Sequence, residues 1–505
     1  MSKMKRKASS TTTNEKLPKR LAEFLEREHN KEEKNKRKNR PIVFVTYIMV
    51  LVFMGLFSYI IYYVVHDSET IISHTANRRQ DSMSEFVTRG DIVTADGEVI
   101  ATTQVDEEGN ETRVYPYGSA FAHVVGYNSY GRAGLELEQN FNLLRSHVNI
   151  MNKLGNEMGA KKNPGDTVVT SLRYDLQTTA INSLGGARGA VVVMEPSTGR
   201  ILAMVSSPAF DPNDIDNVWE HVHSEEGVES TLLLNRATQG LYAPGSTFKI
   251  VTAIEYMREN PNYEDYSYTC EGRDIFNSVS IRCSGGNAHG TVNLEESIAY
   301  SCNTSFANMG IGLNMDKMRS LTDELLFNKK LPYPGDHSVS KFMLSGSSDP
   351  GEIPQTVFGQ GDTLISPLHN CLIMSAIANG GVLMRPYMVD EIDNADGALV
   401  KSYSPKTYGT LLPSEDVKRI IPPLEAVCEY GTAAPWLSGL SYSCAGKTGT
   451  AELDDEGRMN SWFVGCAGRD IDHPEIVISV VVEDYSENGI TGASVARNVF
   501  DEFFN

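Results

Sequence analysis

GAVVVMEPSTGRILAMVSSP, residues 189–208, is the stretch on which the fold turns. Two apolar runs flank Pro196-Ser-Thr-Gly199, a turn composition between strand-forming segments, so the stretch predicts a β-hairpin. Three further predicted strands lie near the far end of the sequence: KTGTAEL (447–453), NSWFVGCAG (460–468) and EIVISVVVED (475–484). A helical pattern, ASVARNVFDEFF (493–504), follows them. Two strands, a long helical block, three strands and a helix predict an α+β fold: one antiparallel sheet in which early and late strands meet, with helices packed on its faces.

Working outward from the hairpin, TVVTSL leads into a helix that begins near Asp175, and PGD (164–166) reads as a domain boundary. Residues 66–165 mix short alternating segments with turns, including RGDIVTADGEVIATT (89–103), where Asp96-Gly97 predicts a hairpin. They form a smaller, mostly β domain ahead of a 166–505 domain. Upstream, Pro41 to Val65 runs 25 residues without a charge. As a helix that is about 37 Å, enough to cross a hydrocarbon core of about 30 Å. The run is long for a cleaved signal and lacks an A-x-A-like site after it. The arm 1–40 carries a net charge of +8 and reads as an unordered tail, which places the N-terminus in the cytoplasm. The rest of the 505-residue chain carries −28, which excludes a nucleic-acid partner, because that surface repels phosphate.

Three motifs carry chemistry. In YAPGSTFK (242–249), Pro244-Gly245 makes a turn and Ser246 opens a helix. Ser246 and Lys249 are three apart on one face, so a neutral lysine can activate the serine if burial lowers its pKa. The second motif is Ser301-Cys302-Asn303, in which a hydroxyl can relay a proton and an amide can hold a carbonyl. The third is Lys447-Thr448-Gly449-Thr450, opening the first late strand. Its backbone can complete an oxyanion hole, its Gly449 admits substrate, and Lys447 and Thr448 can bind a carboxylate. Each alone is a common pattern; the three in this order behind an apolar helix are not.

S-x-x-K, S-x-N and K-T-G together resemble the signature of penicillin-binding proteins, and the chain resembles a class B member, a membrane-anchored peptidoglycan D,D-transpeptidase. RGDIVTADGEVIA, GRAGLELEQNFN (131–142), AVVVMEPSTGRILAM, YAPGSTFK, SCN, GQGDTLISPL (359–368), KTGTAE and SWFVG follow in the family's order. The resemblance implies a cytoplasmic tail (1–40), an anchor (41–65), a pedestal domain (66–165) and a transpeptidase domain (166–505). It implies Ser246 as nucleophile on the D-Ala-D-Ala carbonyl and Lys249 as base. Ser301 then assists the leaving D-alanine and Asn303 positions the acyl chain, while Lys447, Thr448, Gly449 and Thr450 form the substrate-binding strand. It also implies β-lactams as trapping ligands, a polytopic glycan polymerase as partner, a place in the cell membrane, and no metal or organic cofactor. About 100 residues between anchor and transpeptidase leave no room for a glycosyltransferase domain, and no appended C-terminal module is expected.

Two rivals share the mechanism, a D,D-carboxypeptidase and a serine β-lactamase. For the second, Glu324-Leu-Leu-Phe-Asn328 matches an E-x-x-x-N pattern that supplies a deacylation base. The seven cysteines are an odd number without a CxxC pair. Cys270, Cys283 and His289 lack the paired spacing of a zinc site, which leaves a Cys270–Cys283 disulfide or buried free thiols.

Overall fold

The computed structural model describes residues 18–66, 78–159, 161–225, 227, 230–452, 458–487 and 489–505. The first 17 residues of the expected tail, the start of the expected pedestal (67–77) and Leu453 of the KTGTAEL strand lie outside the described residues. The chain divides into two compact units, Met1–His74 and Thr75–Asn505.

The described residues of the first unit form one helix, α1 (Lys19–His66). The charged arm after residue 18 is therefore helical, not the unordered tail expected from its polarity. Its Leu, Glu, Lys and Arg content favours helix, and pairs such as Lys31–Glu28 (3.9 Å) add support one turn apart. Pro41 sits inside the helix. From Ile42 to Val64 the large apolar side chains are exposed, a surface suited to lipid and costly in water.

In the second unit the predicted hairpin is β5 (Gly189–Met194) and β6 (Ile201–Ser207), and the late strands are β7 (Ser443–Glu452), β8 (Met459–Gly468) and β9 (Ile476–Val482). They form one antiparallel sheet in the order β7-β8-β9-β5-β6. The two ends of the sequence join where Val477–Val482 pairs with Met194–Gly189. Every residue of β5, β6 and β9 is buried, because helices cover both faces. The alternation of β8 divides those faces. Phe463 and Ser461 meet the N-terminus of α7 (Gly492–Phe504), while Val464 and Trp462 point toward α3 (Lys249–Glu259), α5 (Pro367–Ala378) and the turn before α3. β7 is an edge strand, free to receive a ligand along one side.

A second sheet contains β1 (Ile92–Val93), β2 (Val99–Val105), β3 (Glu111–Val114) and β4 (Thr167–Thr170). Its order is Leu399–Ser402, Val389–Asp393, β4, β1, β2, β3, so strands from both sides of the 165/166 boundary share it. Asp96-Gly97 turns between β1 and β2 as predicted, with Gly97 at φ +91°. Beneath this sheet the RGD, GLE and PGD segments converge. Arg89 and Arg113 clasp the fully buried Glu136 at 2.5 and 2.7 Å, Arg89 also reaches Asn140, and Asn140 donates to Gln80. A side chain at Gly90 would collide with the Asp166 carbonyl at 2.0 Å. Burial pushes the Glu136 carboxyl up, but the charges of Arg113 and Arg89 overcome it and hold its pKa below the usual range.

Candidate active site

Pro244-Gly245 turns the chain into a 3₁₀ segment, Gly245–Phe248, that carries Ser246 onto the N-terminal end of α3. Gly245 has φ +53°, and a β-carbon there would lie 2.5 Å from the Thr450 carbonyl. Only glycine lets the nucleophile turn touch β7 this closely. The GQGDTLISPL segment braces the turn from behind: Gly245 N–H donates to Gly359 O at 2.9 Å, and Tyr242 and Ile365 exchange backbone hydrogen bonds. Trp462 Nε1 donates to Ala243 O at 3.1 Å. The first and third motifs are thus locked together by backbone contacts.

The second motif closes the site. Ser301 links the helix Leu294–Ala299 to α4 (Asn303–Gly310), in the left-handed region at φ +56°. That conformation is strained for a serine and is held by its surroundings. Lys249 Nζ donates to Ser301 O at 2.7 Å, Ser301 Oγ at 3.1 Å and Asn303 Oδ1 at 2.7 Å. Asn303 Nδ2 in turn donates to Arg282 O at 2.9 Å. Lys249 is fully buried between the rings of Phe306 and Phe358, 5.3 and 5.8 Å from its ammonium. Its acceptors are neutral oxygens, so burial wins and pushes its pKa down to about 7.

Ser246, Ser301, Asn303, Thr448, Gly449 and Thr450 line one cleft of about 500 Å³. Lys447 departs from the expectation. Its side chain is fully buried beside its cross-strand partner Val464 and does not line the cleft, with Nζ donating to Thr448 O at 3.0 Å. Burial, reinforced by the charge of Lys249, drives its pKa well below the usual range. Tyr300, Gln360, Thr432, Trp436 and Trp462 also line the cleft and were not singled out from sequence. Thr432 is tied to the third motif by a 2.5 Å hydroxyl contact with Thr448.

Glu324 is remote from this chemistry. It pairs with Arg258 at 3.1 Å, nine residues and about 13 Å along α3 from Lys249. Asn328 is engaged with the Phe342 backbone. The E-x-x-x-N match therefore places no deacylation base in the cleft.

Of the two expectations for the cysteines, the structure follows the buried free thiols and not the disulfide. All seven are free and buried, with Cys270 and Cys283 Sγ 3.6 Å apart and not bonded. Cys302 and His289 join them, and the four ligand atoms lie within 4.8 Å of one another. The folded chain thus assembles what linear spacing did not reveal.

A family described as penicillin binding protein transpeptidase domain matches residues 189–505, and one described as penicillin binding protein A dimerisation domain matches residues 89–168. The peptidoglycan D,D-transpeptidase PbpA of Mycolicibacterium smegmatis is 28% identical over 449 residues, covering 83% of this chain and 88% of that relative. The D,D-transpeptidase domain of a peptidoglycan glycosyltransferase from Eggerthella lenta superposes with a TM-score of 0.72 at 32% identity, covering 82% of this chain and 98% of the other. Penicillin-binding protein A from M. tuberculosis, solved as an imipenem acyl-enzyme complex, gives a TM-score of 0.73 at 25% identity, covering 84% and 100%. With the nucleophile turn, the S-x-N loop and the K-T-G strand converging on one cleft of this fold, the chain belongs to the class B penicillin-binding proteins.

Proposed function

We propose that this chain is a serine D,D-transpeptidase that cross-links peptidoglycan stem peptides. One observation carries the reading: a buried lysine, three residues after a cleft serine, has only neutral acceptors and a pKa pushed down to about 7. At neutral pH such a lysine is about half amine, and the amine can take a proton.

In this reading Ser246 Oγ attacks the carbonyl between the terminal D-alanines while its proton passes to Lys249 Nζ. The N–H groups of Ser246 and Thr450 receive the oxyanion at the positive end of α3. Ser301 returns a proton to the departing D-alanine nitrogen as the C–N bond breaks, leaving an acyl-enzyme. An amine of a second stem peptide then attacks that ester, its proton returns through the same route, and Ser246 is released. Asn303 holds the acyl chain, Gly449 admits it to the edge of β7, and Thr448 and Thr450 take the terminal carboxylate. Lys447 stays buried beside the site, its Nζ holding the Thr448 carbonyl. A β-lactam follows the same first step and stops there.

The apolar helix 41–65 anchors the chain in the cell membrane, with residues 1–40 cytoplasmic, 66–165 a pedestal and 166–505 the catalytic domain outside. A polytopic glycan polymerase supplies the strands to be joined. The test is acylation of the full chain in detergent by a labelled penicillin, followed by intact mass in wild type and Ser246→Ala. A one-to-one adduct that persists for hours and is absent from the variant is expected. Rapid turnover to penicilloate, or labelling that survives Ser246→Ala, would overturn the reading.

A further inference from the structure

We propose that Cys270, Cys283, His289 and Cys302 form a tetrahedral zinc site that fixes the loop carrying Ser301 and Asn303. The four donors come from separate pieces of backbone. Cys270 ends the strand Tyr268–Cys270, and Cys283 follows the strand Val279–Arg282. His289 precedes the strand Gly290–Val292, and Cys302 caps α4. Such distant residues share one point only because the fold brings them there.

The distances match the metal. With Zn–S near 2.3 Å and Zn–N near 2.05 Å, a tetrahedron has sulfur–sulfur edges of about 3.8 Å and sulfur–nitrogen edges of about 3.6 Å. The observed Cys270–Cys283 and Cys283–Cys302 separations are 3.6 and 3.8 Å, and Cys270 Sγ to His289 Nδ1 is 3.4 Å. Three thiols and an imidazole cannot all be satisfied by one disulfide, which would leave a thiol and the ring aimed at it. Three sulfurs and one nitrogen in this arrangement suit zinc, whereas carboxylates and waters would suit magnesium or calcium.

The surroundings are those of a ligated site. The three cysteines are at most 2% exposed. Gly272 N–H and Thr304 Oγ1 donate to Cys270 Sγ at 3.3 and 3.2 Å, and Ser305 N–H donates to Cys302 Sγ at 3.4 Å, bonds that stabilise thiolate charge. His289 and Cys283 reach the cleft wall, so an ion has a path in. Cys302 stands between Ser301 and Asn303, the two residues that hold Lys249, and Cys283 follows Arg282, whose carbonyl holds Asn303. The metal therefore pins both supports of the S-x-N loop, and its ligands are positioning residues.

The full chain, purified in detergent under reducing conditions without added metal, is assayed for metal content by mass spectrometry. About one zinc per chain is expected, lost in Cys270→Ser and Cys283→Ser and kept in Cys371→Ser, a buried cysteine elsewhere. Cobalt introduced into stripped protein should give the intense visible absorption of a tetrahedral thiolate site. Should the serine variants fail to fold, the cobalt spectrum of wild type decides alone. Chelation should lower the saturating rate of penicillin acylation about tenfold with the half-saturation concentration unchanged, and zinc should restore it. That arm rests on the function proposed above; the metal and cobalt arms do not. A chain that takes up no zinc, an octahedral cobalt spectrum, zinc retained in both serine variants, or a Cys270–Cys283 disulfide in the reduced preparation would overturn the site.

Discussion

Two regions of this molecule bury cations, and they treat them oppositely. Under the sheet that contains β1 to β4, Arg89 and Arg113 are neutralised around Glu136 and bonded to Asn140 and the Gly90 carbonyl. Beside the cleft, Lys249 and Lys447 meet only neutral oxygens, and among the described residues no carboxylate contacts either Nζ. Burying a charge is costly unless it is paired, so an unpaired one sheds its proton. The first arrangement keeps its charges and fixes a structure; the second gives one up and gains a base.

The sharpest way to break the contrast is Lys249→Met. Acylation by labelled penicillin should fall by about 10³-fold or more, the scale of losing a positioned base. The melting temperature should hold or rise, because an uncompensated buried ammonium is replaced by an apolar chain of similar length. A clear loss of stability would mean that the lysine is part of the scaffold. Glu136→Gln is the mirror experiment. It strands two buried arginines and should cost about 3–5 kcal/mol in denaturant unfolding, while the acylation rate per folded molecule stays near wild type. Equal loss of both quantities would show that the Glu136 cluster acts on the cleft.

The two regions should also separate on a pH axis. Acylation needs neutral Lys249, so its rate should rise about tenfold per unit below pH 7 and level off above it. The depressed pKa of Lys249 also makes the folded state gain stability as pH climbs from about 7 toward 10.5, the interval in which the unfolded chain holds the extra proton. The Glu136 cluster has the same sign in a much lower window. Its carboxyl is held below its ordinary 4.5, so its contribution is complete above that value and fades only as pH falls through the lower folded one. A rate profile centred near pH 10 would remove Lys249 as the base.

Much of this was legible in sequence. Apolar runs and turn residues are local, so the hairpin at 189–208, the late strands and the Asp96-Gly97 turn could be read directly, and the spacing of Ser246 and Lys249 placed both on one turn. What could not be read was long-range pairing. Nothing local joins Arg89 to Glu136, 47 positions apart, or brings Cys302 beside Cys270 and Cys283. Polarity suggested an unordered arm where helix propensity prevailed across Pro41. Lys447 looked like a ligand for carboxylate because its burial and its bond to the Thr448 carbonyl depend on packing around β7 that the local sequence does not show.

The smallest predicted effect tests how much of the cleft's order comes from its rim. Thr432 was invisible as a site residue, yet its hydroxyl contacts that of Thr448 on the edge strand, at a point where β7 has no neighbouring strand to steady it. Thr432→Val keeps the shape and removes the contact. One neutral hydrogen bond is worth about 1 kcal/mol, so acylation should slow about fivefold. The loss should appear as weaker capture of penicillin, with the saturating rate and the position of the pH profile unchanged, since Lys249 and its acceptors are not touched. A shift of that profile would mean that the rim and the buried lysines form one network, and the division between neutralised and uncompensated charge would then extend to the surface of the cleft.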